Sequence, residues 1–159
     1  MNTEITIHAA TASDAQDLAV LVDELLTEIS DGIGVQAFKY NLEEIAINAK
    51  NLIEQKKYFV FVARADYEKS VGFIALSESY ALYTGGTFGT IPEFYVRPEY
   101  RSCNAGLRLL SQAKDFGRSI GWKRLEVTTP PLPQFDKTLA FYEREGFANS
   151  GGRKLRFEL

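Results

Sequence analysis

Apolar positions recur along the chain with two different periods, and the changes of period mark its elements. Ile5 and Ile7 alternate as in a short strand. Ser13, followed three residues later by Gln16, has the capping-box pattern, and Leu18, Leu21, Val22, Leu25 and Ile29 follow at helical spacing, predicting a first helix to about residue 30. Asp31, Gly32, Ile33 and Gly34 break it, after which Leu42, Ile45, Ala46, Ala49, Leu52 and Ile53 mark a second amphipathic helix. The apolar runs 58–63 and 71–76, separated by a polar turn at Glu68, Lys69 and Ser70, predict an antiparallel hairpin. Glycines 85, 86 and 89 mark the next turn, and a strand is predicted over 91–96. Pro92 lies inside it and cannot donate to a ladder, so the strand is at an edge or bulged there; a bulge would splay it from its neighbour.

Helical spacing returns with Leu107, Leu110, Ala113, Phe116 and Ile120 on one side and Arg108, Gln112, Asp115 and Ser119 on the other, predicting a third helix over about 104–120. Gly121 ends it, 122–128 reads as a strand, and Pro130, Pro131 and Pro133 stiffen the connection to a short helix that starts near Asp136 and stops at Gly146. Phe147 opens another strand, Ser150, Gly151 and Gly152 form a turn, and 154–159 is a final strand. This order implies a mixed α/β sheet with helices on its faces. At 159 residues the chain is expected to form a single domain, 1–159.

Composition narrows the class. With 45% hydrophobic and 25% charged residues the chain buries a core, which excludes a disordered protein. A net charge of -3 without a basic run makes the chain a poor candidate for tight nucleic-acid binding, so no nucleic-acid partner is expected, and the absence of a long apolar stretch or a leader pattern implies a cytoplasmic protein with no membrane partner. One cysteine, Cys103, and one histidine, His8, leave no internal disulfide and no Cys/His metal site, so no metal is expected and His8 is taken as structural.

The chemistry concentrates in residues 91–107, a strand, a turn containing the small residues Ser102, Ala105 and Gly106, and the beginning of a helix. A helix N-terminus carries unpaired N–H donors and the positive end of the dipole, which suit a pyrophosphate; taken alone, the same pattern also fits an ordinary short loop.

It does not stand alone. Arg101, two residues, Asn104, one residue and Gly106 resemble motif A of the GNAT superfamily of acetyl-CoA-dependent N-acetyltransferases, whose turn usually reads Arg or Gln, two residues, Gly, one residue, Gly or Ala. Residues 93–101 resemble the family's run into that turn. Asn104 replaces the first glycine, although asparagine tolerates left-handed backbone better than most residues. Downstream, Phe141 and Tyr142, three residues, then Gly146 and Phe147 resemble the second family signature. Where the family often has Asn before this helix and Ala inside it, this chain has Phe135 or Asp136 and Thr138. The resemblance implies a mostly antiparallel sheet of about seven strands, four helices on its faces and a splayed, bulged fourth strand.

It also implies roles. Acetyl-CoA is the co-substrate. A backbone N–H near Phe94, Tyr95 and Val96 meets the thioester carbonyl, residues Arg101, Ser102, Cys103, Asn104, Ala105, Gly106 and Leu107 hold the phosphates, and Phe135 and Thr138 add contacts. Tyr142 is the general acid for the departing thiolate, or a helix tyrosine packed on the sheet. Glu93 is a base acting through water, or a strand glutamate that attracts a cationic acceptor or faces solvent. Cys103 lies in the phosphate turn without an activating partner, so direct transfer in a ternary complex is expected instead of an acetyl-enzyme. The acceptor site would include Glu28, Asp31, Tyr83 and Phe88 beside Glu93, whose acidity suits a cationic amine. The main reading is acetylation of a primary amine on a small molecule. A protein or peptide N-acetyltransferase and a catalytically weak CoA-binding sensor are the alternatives, acetylation on a charged tRNA is disfavoured by the charge, and a homodimer through the final strand is open.

Overall fold

The computed structural model describes residues 3–66 and 69–159. These fall into two compact units, Met1–Thr128 and Thr129–Leu159. The first unit is a six-stranded sheet with helices on both faces. Strand β1 (Ile5–Ala9) pairs antiparallel with β2 (Tyr58–Ala65), and β2 with the long β3 (Lys69–Ala81). The far edge of β3 is shared by β4 (Gly86–Ile91) and β5 (Phe94–Val96), and β6 (Leu125–Val127) lies parallel to β4 at the end of the sheet.

Helix α1 (Ala15–Ile33) begins after a 3-10 turn at Ala12–Asp14. The expected cap at Ser13 is displaced to Thr11, whose N–H donates to Asp14 Oδ2 at 2.8 Å, because the 3-10 turn places Asp14 three residues beyond Thr11. The helix runs through Gly32, beyond the expected stop, until Gly34 takes a left-handed φ of 76°. Asn41 caps α2 (Leu42–Glu54) by accepting from Glu44 N–H at 3.1 Å. Helix α3 spans Ala105–Ser119. In the second unit, α4 (Asp136–Arg144) ends before Gly146, as expected.

Alternation along the strands sorts the core into two layers. Leu18 and Leu21 of α1 pack with Val60, Val62, Phe73, Ala75 and Tyr95 on one face. On the other, Phe116 of α3 stacks against Phe59, Phe61 and Trp122 with ring centroids 4.9–5.6 Å apart. Each fully buried side chain such as Leu21, Leu109 or Ile74 contributes about 1.5–3 kcal/mol. The buried stripe of α3 runs through Ala105, Leu109, Leu110, Ala113 and Gly117, so Leu107 and Ile120, expected on that face, fall beside its ends and are exposed.

Several predicted elements differ. The turn expected at residues 68–70 is shorter, because Lys69 and Ser70 already pair with Ala65 and Arg64, and Glu68 lies outside the described residues. The strand expected from Trp122 is confined to Leu125–Val127, since the Trp122 side chain is buried, its indole N–H donates to Glu78 Oε2 at 2.7 Å, and its backbone N–H bonds back to Gly117 O at 2.9 Å. Six strands form where about seven were expected, because the segments from Phe147 and over 154–159 have no strand structure. Leu155, Phe157 and Leu159 alternate with polar residues, but alternation alone does not make a strand without a ladder to join, and all three are exposed.

Gly89, expected in a turn, lies inside β4 opposite Glu78. It is there for space: a Cβ would sit 2.7 Å from Leu125 Cδ2 and closer still to the Trp122 ring. Gly89→Ala is expected to lower stability by about 1–3 kcal/mol through overpacking, read as a lower denaturation midpoint at unchanged slope.

Candidate active site

The site begins with a slip of one residue. Along β4 the partners run from Ala81↔Gly86 to Ser77↔Thr90, whereas along β5 they run from Ile74↔Phe94 to Gly72↔Val96, so Pro92 and Glu93 hold one residue more than β3 opposes. Ala75 N–H bridges the irregularity by donating to Glu93 O at 2.9 Å. β4 keeps its parallel partner to Ile91↔Val127, but β5 pairs only with β3. The bulge and splay expected from Pro92 are therefore present.

Beside the bulge the α1-facing side of the sheet turns polar. Tyr58 lies opposite Ser77, and Ser77 opposite Thr90, with their hydroxyls 2.6 Å apart. The small residues of β3 leave room for Tyr58 to reach across, and its hydroxyl donates to both Glu93 oxygens at 3.2 and 3.3 Å. Glu93 is half-buried and held by Tyr58. Burial pushes its carboxyl above the usual range, and the Tyr58 hydrogen bond only partly opposes this. Burial and the neighbouring Glu93 charge push the Tyr58 phenol up in turn.

After β5 the chain makes a 3-10 turn, Pro98–Cys103, and Asn104 takes a left-handed φ of 61° where α3 begins. The first bond of α3 is Arg108 N–H to Asn104 O at 3.0 Å, so the N–H groups of Ala105, Gly106 and Leu107 lie ahead of the helical ladder. Ser102 and Asn104 are exposed and Cys103 half-buried. These free N–H donors at a helix N-terminus are the kind of group that can hold an anion such as a phosphate. Arg101 braces the turn, with Nε donating to Val96 O at 2.9 Å and its terminal nitrogen to both Glu28 oxygens at 2.7 and 2.9 Å.

These last contacts join the turn to α1. Arg97 makes a fork to Glu24, with Nε at 3.0 Å and Nη2 at 2.8 Å. Between α1 and β5 runs a groove of about 670 Å³, lined by Asp23, Glu24, Thr27, Glu28, Asp31, Gly32 and Tyr95. Burial, with Glu24 and Glu28 adding to it, pushes the Tyr95 phenol up to about 12, while Arg101 and Arg97 pull it down. Glu28 and Asp31 both line this groove, and Glu93 does not. Tyr83 and Phe88 do not line this groove: Tyr83 is exposed with Arg124 over its ring at 5.4 Å, and Phe88 is buried in β4.

In the second unit, Phe135 precedes α4 and accepts from Thr138 N–H at 3.0 Å. The Tyr142 ring lies between Phe141 and Phe147, centroids 5.6 and 5.3 Å away, and Gly146 at φ 94° lets the chain double back so that Phe147 N–H reaches Tyr142 O. Burial raises the Tyr142 phenol, which stays protonated at neutral pH. The sequence reading missed Tyr58, Asp23, Glu24, Arg97 and the Tyr95 side chain as site residues. Only the strand register could have found Tyr58, 35 residues from Glu93.

Two outcomes follow from this geometry. A carboxyl whose folded pKa is raised binds protons more readily in the folded state, so its contribution to stability falls as pH rises from about 4.3, the ordinary glutamate value, through the raised one. Glu93→Gln is expected to raise the melting temperature at pH 7 relative to the parent, with the difference vanishing near pH 4. At Asn104 the left-handed backbone costs an alanine about 1–2 kcal/mol, so Asn104→Ala is expected to be destabilised and Asn104→Gly to match or exceed the parent in a denaturant titration.

Comparison with known proteins agrees with this architecture. The family profile of the acetyltransferase (GNAT) domain matches residues 56–149. An uncharacterized N-acetyltransferase of Bacillus subtilis (strain 168), YhfO, is 27% identical over 151 residues, 93% of each chain. Among solved structures, a ribosomal-protein-alanine N-acetyltransferase from Brucella melitensis biovar Abortus 2308 superposes with a TM-score of 0.72 at 22% identity, over 98% of this chain and 100% of that one. An aminoglycoside N-acetyltransferase, AAC(6')-Iy, in complex with CoA, reaches a TM-score of 0.80 at 13% identity, over 99% and 97%. With the profile spanning more than half the chain and the bulged strand leading into its turn, the chain belongs to the GNAT family and is an N-acetyltransferase.

Proposed function

We propose that the protein transfers the acetyl group of acetyl-CoA to a primary amine of a small-molecule acceptor by direct attack in a ternary complex. The observation that carries this reading is the slip at Pro92 and Glu93, which puts a half-buried carboxylate at the head of the strand that leads into the donor-rich turn at the start of α3. Arg101, Ser102, Cys103, Asn104, Ala105, Gly106 and Leu107 hold the phosphates, the Phe94, Tyr95 and Val96 backbone orients the thioester, and Phe135 and Thr138 add contacts from the segment around α4. That Asn104 already holds the left-handed backbone supports a competent turn over a weak sensor.

An alkylammonium near pKa 10 must lose a proton before it can attack. Glu93, with its carboxyl raised, takes that proton directly or through one water, and the Tyr58 hydroxyl, donating to it, steadies the ionised form. The amine nitrogen then bonds to the acetyl carbon and, now cationic, releases its second proton to solvent; the C–S bond breaks, and Tyr142 Oη gives its proton to the sulfur. A thiolate whose conjugate acid has a pKa near 8.5 does not by itself deprotonate a phenol raised above 10, so proton transfer accompanies C–S cleavage and the tyrosinate recovers its proton from solvent. The reaction takes place in the cytoplasm without nucleic acid, membrane or metal. A second reading, a protein or peptide acceptor, is favoured by the likeness to the ribosomal-protein-alanine enzyme. A peptide panel run beside an amine panel separates the two.

Calorimetric titration is expected to show saturable acetyl-CoA binding that weakens at least about tenfold when the ligand lacks its diphosphate. No binding at millimolar acetyl-CoA would sink the reading. Tyr142→Phe is expected to lower kcat by about 100-fold while acetyl-CoA affinity stays unchanged.

A further inference from the structure

Residues 153–159 have the alternation of a strand but no ladder among the described residues. Leu155, Phe157 and Leu159 are almost fully exposed. A single exposed apolar side chain is ordinary, but three at a period of two make a continuous apolar edge. The charges between them define the opposite side. Arg156 Nε lies 2.7 Å from Glu158 Oε1, which puts both side chains on one side of the segment, as in an extended chain where residues two apart share a face. The segment thus has one apolar face and one ionic face, and its backbone groups are available to a neighbouring strand.

The order of the residues identifies the neighbour. In an antiparallel pair, directly opposite residues share a face and interact. When Leu155, Arg156, Phe157, Glu158 and Leu159 are laid antiparallel on the same five residues of a second copy, with Phe157 facing the partner's Phe157, Arg156 faces the partner's Glu158 and Leu155 faces the partner's Leu159. By symmetry Glu158 faces the partner's Arg156. Every apolar residue meets an apolar one and every charge meets its opposite. Other registers fail. A slip of one residue sets apolar side chains against charged ones, and registers centred on Arg156 or Glu158 bring like charges face to face. A register centred on Leu155 sets Lys154 against the partner's Arg156. The segment is self-complementary in one register, about a two-fold axis at Phe157.

We propose that residues 155–159 form an antiparallel two-stranded ribbon with the same residues of a second copy, making this segment a homodimer contact. The two strands bring the Leu155, Phe157 and Leu159 side chains of both copies together on one side, while two Arg–Glu pairs across the strands line the other. The apolar face supplies the attraction, and the charge order selects the partner and the register. The paired stretch is short, so association is weak and is seen at micromolar concentrations and above, unlike that of an obligate dimer.

The test is sedimentation velocity of the full chain over a concentration series. The parent is expected to pass from monomer to dimer as its concentration rises. Arg156→Glu alone and Glu158→Arg alone each set like charges opposite one another twice in the ribbon, and each is expected to weaken association at least about tenfold. Both side chains are exposed, so the melting temperature of the dilute protein is expected to stay unchanged. An equal mixture of the two single variants, or both substitutions in one chain, brings opposite charges face to face again and is expected to restore association to within about threefold of the parent. A chain that stays monomeric throughout the series, a dimer that both single variants leave intact, or a loss that neither the mixture nor the double variant restores overturns the inference. A monomer whose amides at 155–159 resist hydrogen exchange has the segment paired within its own chain, and overturns it as well.

Discussion

The first unit is organised around the fact that one edge of β3 must serve two strands that are out of register by one residue. A proline at position 92 has no N–H to give, so the ladder cannot continue there, and the surplus residue is absorbed at Glu93 with Ala75 N–H as the bridge. Everything downstream inherits that step. β5 leaves the β6 side, points its backbone away from the parallel pair, and delivers the chain into the 3-10 turn and the N-terminus of α3. A regular strand would have kept its ladder partners.

A second layer of order is electrostatic. The two arginines that follow β5 reach back to two glutamates of α1, and Arg101 also grips the end of the strand through Val96 O. One helix is thereby tied to the strand and turn that the mechanism uses. Arg97 is partly buried and bidentate, which makes its pair the firmer one, whereas the more exposed Arg101 and Glu28 pair is worth little by itself. Burial explains the other charges of consequence: the Glu93 carboxyl, the Tyr95 phenol and the Tyr142 phenol are all displaced toward their protonated forms by desolvation.

Legibility in the sequence varied with the range of the interaction. The four helices, the hairpin, the bulge at Pro92 and the left-handed tolerance of Asn104 are local matters of periodicity, caps and backbone freedom, and they could be read directly. The C-terminal alternation was equally plain to read and misleading, since a strand exists only by virtue of a neighbour. Gly89 looked like a turn residue because glycine signals both turns and close packing, and only the approach of Trp122 and Leu125 separates the two.

By itself the sequence determined the order of elements, the interrupted strand, the donor-rich turn and the identity of the two motif tyrosine and glutamate candidates, because each depends on residues within a few positions of one another. Tertiary structure alone decided that Glu93 is held by Tyr58, that Arg97 and Arg101 neutralise Glu24 and Glu28, and that Tyr95 faces a stripe of carboxylates. Those partners are 35 to 73 residues apart in the chain, and their meeting depends on strand register and helix rotation, which are set by the packing of the whole sheet.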